Sequence, residues 1–290
     1  MLPAAGAVRG GLGRERPAAP RRAAPIGHRR AALLLRMAAL AALAAPAAAS
    51  INPNPALRVM PLGPIEEPAA AGFSFLILLI NVRLLPELMA MPHALVREHP
   101  YPVLANMFVW MVAYFWSTVF HMHETTLSET MDYGMAVFSW TYMLYAACVR
   151  FLPFVPRRVW RTLFTLWYAY FAFYMKCVKF DYGFAVLSVG VLAVIHLVLW
   201  VPYCIQRIAQ GFRYPFYYVF LNIFFLCVLP FELYDFPPLL GIFDGHSLWH
   251  GGGTVLQYCW TRFLLADIRA TASAAPAAMR GPQKTLESVV

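Results

Sequence analysis

Apolar residues dominate this chain in runs of about helix-spanning length, and short polar clusters punctuate them. From residue 72 onward seven such runs can be marked, at 72–91, 102–121, 131–152, 159–179, 182–205, 214–234 and 246–266. A helix needs roughly 20 apolar residues to cross a bilayer, and each run is near that length. The gaps hold Pro, His and charged residues, the usual breakers of an apolar helix. The pattern predicts an all-α, polytopic membrane protein built as a seven-transmembrane helix bundle. Residues 51–71 are rich in Pro and Ala and read as a short lead-in. The membrane domain is expected over 72–268 and a tail over 269–290.

Composition agrees with the pattern. The chain of 290 residues is 61% hydrophobic and 13% charged, where a soluble domain carries roughly a quarter charged residues. The net charge of +9 suggests a nucleic-acid surface only at first sight. Eight of the 23 Lys and Arg precede residue 50; without that stretch 15 basic residues face 13 acidic ones, a balance of +2. Nucleic acid is therefore not an expected partner. The same stretch places basic residues before the apolar run AALLLRMAALAALAAPAAAS, which ends in small residues. Residues 1–50 thus read as a signal peptide or targeting leader; an organelle transit peptide and a misplaced start codon are the rivals. The five cysteines all fall in apolar runs, none in a C-x-x-C, and form neither a disulfide framework nor a thiolate metal site.

Basic residues also predict an orientation. Arg150, Arg157, Arg158 and Arg161 follow run three, Arg207 and Arg213 follow run five, and Arg262, Arg269, Arg280 and Lys284 mark the C-terminal side. The gaps after runs two and six hold Glu124, Glu129, Asp235 and Asp244 and no Lys or Arg. Lys176 and Lys179, near the gap after run four, are the exception. The N-terminus is then lumenal and the C-terminus cytosolic.

Against this background five polar residues stand out: Ser117 and His121 in FWSTVFH, Asp132 in ETMDYG, and His246 and His250 in DGHSLWH. Both Ser117/His121 and His246/His250 have i,i+4 spacing and share a helix face. Ionisable groups in apolar helices are costly and face a partner or a cavity. The orientation brings all five to the lumenal ends of runs two, three and seven, although none of them entered the charge argument. Three histidines with one position left open suit catalytic Zn2+. His121, His246 and His250 are the expected ligands, Asp132 the general base, and Ser117 a donor to the water or to a developing oxyanion. Taken singly each has a plainer role: a packed histidine, a helix-start cap at Asp132, a serine bonded back to its own helix. Glu129 and Asp244 are candidates to orient a ligand imidazole or simple helix-start charges. His123 and Glu124 read as solvated, Asp181 as the cap of run five, and His196 as structural.

With these residues in place the chain resembles a known superfamily. The S-x-x-x-H, later Asp and terminal H-x-x-x-H over seven helices look like the alkaline ceramidases, adiponectin-type receptors and GPI-lipid remodelling hydrolases. Longer strings resemble one branch, the post-GPI-attachment remodelling family: FWSTVFH with LSETMDY, FDYG at 180–183, ELYDFPPLLGIFDGHSLWH, and EEPAAAGFSF at 66–75. That resemblance covers roughly residues 62–268. It implies a GPI-specific phospholipase of the A2 type, with zinc on His121, His246 and His250 and with Ser117 and Asp132 at the water. It further implies GPI-anchored proteins and membrane lipid as substrate, and the Golgi or endoplasmic reticulum as location. Members of the family usually carry a Cys-rich segment before the first helix, which the short lead-in here lacks. An alkaline ceramidase cleaving an amide is the enzymatic alternative, and a seven-helix receptor or scaffold the non-enzymatic one.

Overall fold

The computed structural model describes residues 58–234 and 236–273. The leader at 1–50, the first part of the lead-in, Asp235 and the tail beyond 273 lie outside the described residues. Those described residues form eight helices and no strand: α1 (Pro68–Met89), α2 (His93–Glu98), α3 (Val103–Met122), α4 (Thr126–Phe151), α5 (Arg157–Phe173), α6 (Tyr182–Ala209), α7 (Pro215–Leu233) and α8 (Gly245–Ser273). A π-helical turn, Tyr174–Val178, continues α5. Seven of the eight coincide with the apolar runs, and α2 is a six-residue helix in the first gap.

Helices α1, α3, α6 and α7 are long and apolar enough to cross a membrane. The remaining long helices are less apolar for visible reasons. Helix α4 starts on TLSETMDY, α5 starts on three arginines within five residues, and α8 carries HSLWHGGGT. Large apolar side chains on the outer faces of α6 and α7, among them Val198, Ile205, Phe216 and Phe220, are exposed. Such a surface requires an apolar solvent. Conversely, buried positions hold Ser74, Asn81, Asn106, Ser188, Gln257 and Thr261. Gln257 donates to Asn81 (2.9 Å) and Trp260 to Asn106 (3.0 Å), the interhelical hydrogen bonds expected between helices in lipid.

Local sequence sets the helix starts. Thr125 and Ser128 form a reciprocal capping box on α4. This begins α4 five residues before the expected run, so Asp132 lies inside the helix and is not its cap. Asp181 caps α6 by accepting from the Phe184 amide at 3.0 Å, as expected.

Helix α8 packs closely against α7 and α1 through glycine. A Cβ on Gly252 would lie 2.6 Å from Val228 Cγ1, and one on Gly245 would lie 2.6 Å from the Phe231 carbonyl oxygen. Small residues at these two points let the backbones approach and bring the histidines of α8 inward. At the other end of the bundle, Asp267 is fully buried and accepts from Arg150 (2.6 Å), His99 (3.2 Å), Tyr214 (2.8 Å) and Tyr203. That network joins α4, α6, α7 and α8 below the core.

Candidate metal centre

Helix periodicity turns His121 off the last turn of α3, and His246 and His250 off the first two turns of α8. The three rings meet at one end of the bundle, with centroids 4.7–5.2 Å apart. One nitrogen from each lies within 4.8 Å of the others. His121 is 2% exposed, and its Nε2 is buried with no partner among the described residues.

The opposite nitrogens are all held. His121 Nδ1 meets Glu67 Oε2 at 2.6 Å, His246 Nδ1 meets Glu232 Oε2 at 2.8 Å, and His250 Nδ1 meets Ser74 Oγ at 3.0 Å. Carboxylates only accept, so His121 and His246 carry their hydrogen on Nδ1 and turn the Nε2 lone pair inward. His246 Nε2 lies 3.1 Å from His250 Nε2. Two lone pairs at that distance repel unless a cation or a proton stands between them. The orphaned His121 nitrogen, the facing pair and the outer acceptors together fit a nitrogen-ligated ion such as zinc.

The two carboxylates are placed by different means. Glu67 precedes Pro68, and backbone bonds from Glu66 N to Met122 O (3.2 Å) and Glu67 N to His121 O (3.0 Å) pin it to the end of α3. Burial pushes the Glu67 carboxyl up, but its hydrogen bond to His121 holds it below the ordinary range. Glu232 sits on the last turn of α7 and also accepts from the Tyr182 hydroxyl. Neither was among the expected site residues, although both fall in the strings EEPAAAGFSF and ELYDFPP. Asp244 instead caps α8 through the Ser247 amide at 2.8 Å. Exposed His123 pairs with Glu66 at 2.9 Å.

Ser117 and Asp132 reach the same place. Ser74 Oγ, on α1, lies 3.2 Å from Ser117 Oγ. With His250 donating to Ser74, Ser74 can donate to Ser117, which leaves the Ser117 hydrogen free to turn into the cavity. Half-buried Asp132 lines the same cavity wall as Ser117 and His246.

A cavity of about 500 Å³ runs from these residues into the bundle. Its upper wall holds Asp132, His246 and Glu232; deeper down it is lined by Trp140, Leu226 and Trp260. His196 lies at the deep end, buried among the rings of Trp140, Trp200, Tyr218 and Trp260, with Nε2 unpartnered among the described residues. The structure therefore makes His196 part of the cavity wall, where sequence reading had only a packed side chain.

Comparison with known proteins adds lineage to geometry. Residues 56–268 match the Per1-like family. The GPI-specific phospholipase A2-like PGAP3 of Danio rerio is 32% identical over 213 residues, covering 70% of this chain and 64% of the relative. The Homo sapiens protein of the same name is 32% identical over 216 residues (70% and 63%). Post-GPI attachment to proteins factor 3 of Drosophila melanogaster is 28% identical over 194 residues (64% and 57%). The chain thus spans less than two thirds of the length of these relatives. No solved structure matches it.

Proposed function

This chain belongs to the Per1-like family, and from that premise we infer that it remodels GPI anchors as a zinc-dependent hydrolase of the sn-2 acyl ester. The convergence of His121, His246 and His250, with the outward nitrogens held, the His121 Nε2 unpartnered among the described residues and the other two Nε2 atoms facing each other, carries this reading. The relatives' printed names supply the substrate class, and the apolar cavity below the histidines suits a fatty acyl chain.

Zinc held by the three histidines would acidify a water and polarise the ester carbonyl. The chain's own residues supply the rest. Glu67, Glu232 and Ser74 fix the imidazoles in the ligating tautomer. Asp132 takes the proton of the attacking water and returns it to the departing glycerol oxygen. Ser117, oriented through Ser74, donates to the oxygen on which negative charge develops. Tryptophan and leucine side chains along the cavity seat the acyl chain and exclude bulk water. In this reading seven helices cross the membrane over 72–268, residues 1–50 are a leader, and the histidine end is lumenal in the endoplasmic reticulum or Golgi, where GPI anchors face.

The test is the acyl composition of GPI anchors in cells lacking this protein, rescued by wild type or His250→Ala. Unremodelled anchors corrected by wild type alone are expected. Normal anchors with accumulated ceramide would replace the reading with a ceramidase, and rescue by both forms would remove the metal from the function.

A further inference from the structure

Two lysines depart from the charge pattern of the histidine end. The gaps around the metal centre carry Glu66, Glu67, Glu124, Glu129, Asp181 and Asp244, yet Lys176 and Lys179 sit among them. Lys179 is paired with Asp181 at 3.2 Å. Lys176 has no side-chain partner among the described residues and projects from the π-helical turn Tyr174–Val178. Such turns add a residue to a helix and re-aim the side chains around it, often at functional sites.

An exposed ammonium alone signifies nothing, but Lys176 stands at the rim of a second cavity. This space of about 300 Å³ lies between α4 and α5, lined by Met131, Tyr133, Met135, Tyr168 and Phe171 besides the lysine. Tyr168 lies eight residues before Lys176, roughly 12 Å along the helix, and its hydroxyl donates to the Gly134 carbonyl at 3.2 Å. The walls are apolar, and their methionines adapt to irregular apolar guests.

Tyr133 belongs to both cavities. It follows Asp132 in sequence, and the rings of Phe120 (5.9 Å), Phe180 (5.3 Å) and Tyr182 (5.7 Å) fix it in place. Two apolar cavities therefore open at the same end of the bundle with one aromatic ring between them. The larger begins at the candidate metal centre, and the smaller carries a cation with no partner among the described residues.

We propose that the smaller cavity receives the hydrocarbon chain that is not cleaved, and that Lys176 pairs with the phosphodiester of the same lipid. This rests on the phospholipase reading above and specifies how that site selects its substrate. A glycerophospholipid delivers two chains and one anionic phosphodiester from a single glycerol unit. Tyr133 would separate the chains, leaving the scissile ester beside Asp132 and the phosphodiester towards Lys176. A neutral lipid gives the lysine nothing to bind, so the same feature selects against diacylglycerols and ceramides.

The test is binding of fluorescent lipids to the purified full chain in neutral micelles, in a His250→Ala background where hydrolysis cannot consume the probe. The probes are phosphatidylinositol, the matched diacylglycerol and a one-chain 2-acyl lysophosphatidylinositol. A charge-assisted contact predicts that phosphatidylinositol binds about tenfold tighter than diacylglycerol. Lys176→Met should remove that preference and Lys176→Arg should keep it. Gly134→Leu should weaken the two-chain probes and spare the one-chain probe. A Cβ at Gly134 lies 3.6 Å from the Tyr168 hydroxyl, an ordinary contact, so the helix tolerates it while the longer side chain fills the cavity. A phosphate preference that survives Lys176→Met, or equal weakening of one- and two-chain probes by Gly134→Leu, overturns the proposal. Selective binding with no fatty-acid release from the His250 parent would count against the hydrolase reading alone.

Discussion

Replacing Glu232 by Gln isolates the support of the proposed metal centre from the histidines themselves. Glu232 Oε2 lies 2.8 Å from His246 Nδ1, and the carboxylate is only 9% exposed. It also accepts from the Tyr182 hydroxyl. Glutamine keeps the shape and one acceptor oxygen but loses the charge, and its amide hydrogens meet a donor on one side. Loss of such an outer partner typically weakens metal binding by about 10–100-fold, or roughly 1.4–2.7 kcal/mol. Glu67, whose side chain is 42% exposed, should yield less on the same exchange because water can replace it. Zinc affinity of purified Glu232→Gln and Glu67→Gln proteins, measured by competition with a chromogenic chelator, gives both numbers. Wild-type affinity in Glu232→Gln would refute the argument that this carboxylate sets the His246 tautomer. A larger loss in Glu67→Gln than in Glu232→Gln would refute the use of burial to rank them.

Other perturbations probe the frame. Gly252→Ala forces a methyl against Val228 and should lower stability by about 1–3 kcal/mol, seen as a lower thermal midpoint in detergent; Val228→Ala added to it should restore most of the loss. Asp267→Asn leaves Arg150 without its counter-charge at the far end of the bundle and should cost about 3–5 kcal/mol, while zinc affinity of the folded fraction stays at the wild-type value. Asp181→Ala removes the cap of α6, worth about 1 kcal/mol. The Phe184 amide, helped by Lys179 and opposed by slight burial, holds the Asp181 carboxyl below its ordinary range. That cap is therefore intact at neutral pH and is lost as pH falls through the lowered value, so wild type and Asp181→Ala should converge in stability in strong acid.

Much of this molecule can be read from one dimension. The seven apolar runs become the seven long helices, and for α1, α3, α6 and α7, long and apolar enough to cross a membrane, a helix is the way such a stretch satisfies its own backbone in lipid. The i,i+4 pairs Ser117/His121 and His246/His250 announce shared faces, and the structure joins both faces at one point. Starts shift where short-range chemistry outranks hydropathy: the Thr125–Ser128 box begins α4 before its apolar run and carries Asp132 into the helix. What sequence spacing does not reveal is partnership across the fold. Glu67 reaches His121 only because two backbone bonds tie the approach to α1 onto the end of α3. Ser74 reaches His250 only because α1 and α8 pack closely. Glu232 is followed by two further acids, Asp235 and Asp244, before the histidines of α8, and chain order gives no reason to prefer it. Apolar run length also overstates the uniformity of the helices, since the ones bearing the site and the arginines are less apolar than α1, α3, α6 and α7.

The central claim is that three histidines hold a zinc that breaks a lipid ester. Its most direct measurement is fatty-acid release from a purified GPI-anchored protein by the purified full chain, run as isolated, after chelation, after zinc is returned, and with His250→Ala. Release of the sn-2 acyl chain that stops on chelation, returns with zinc and is absent in His250→Ala is the predicted result. Undiminished release after complete removal of zinc, or by His250→Ala, would contradict it.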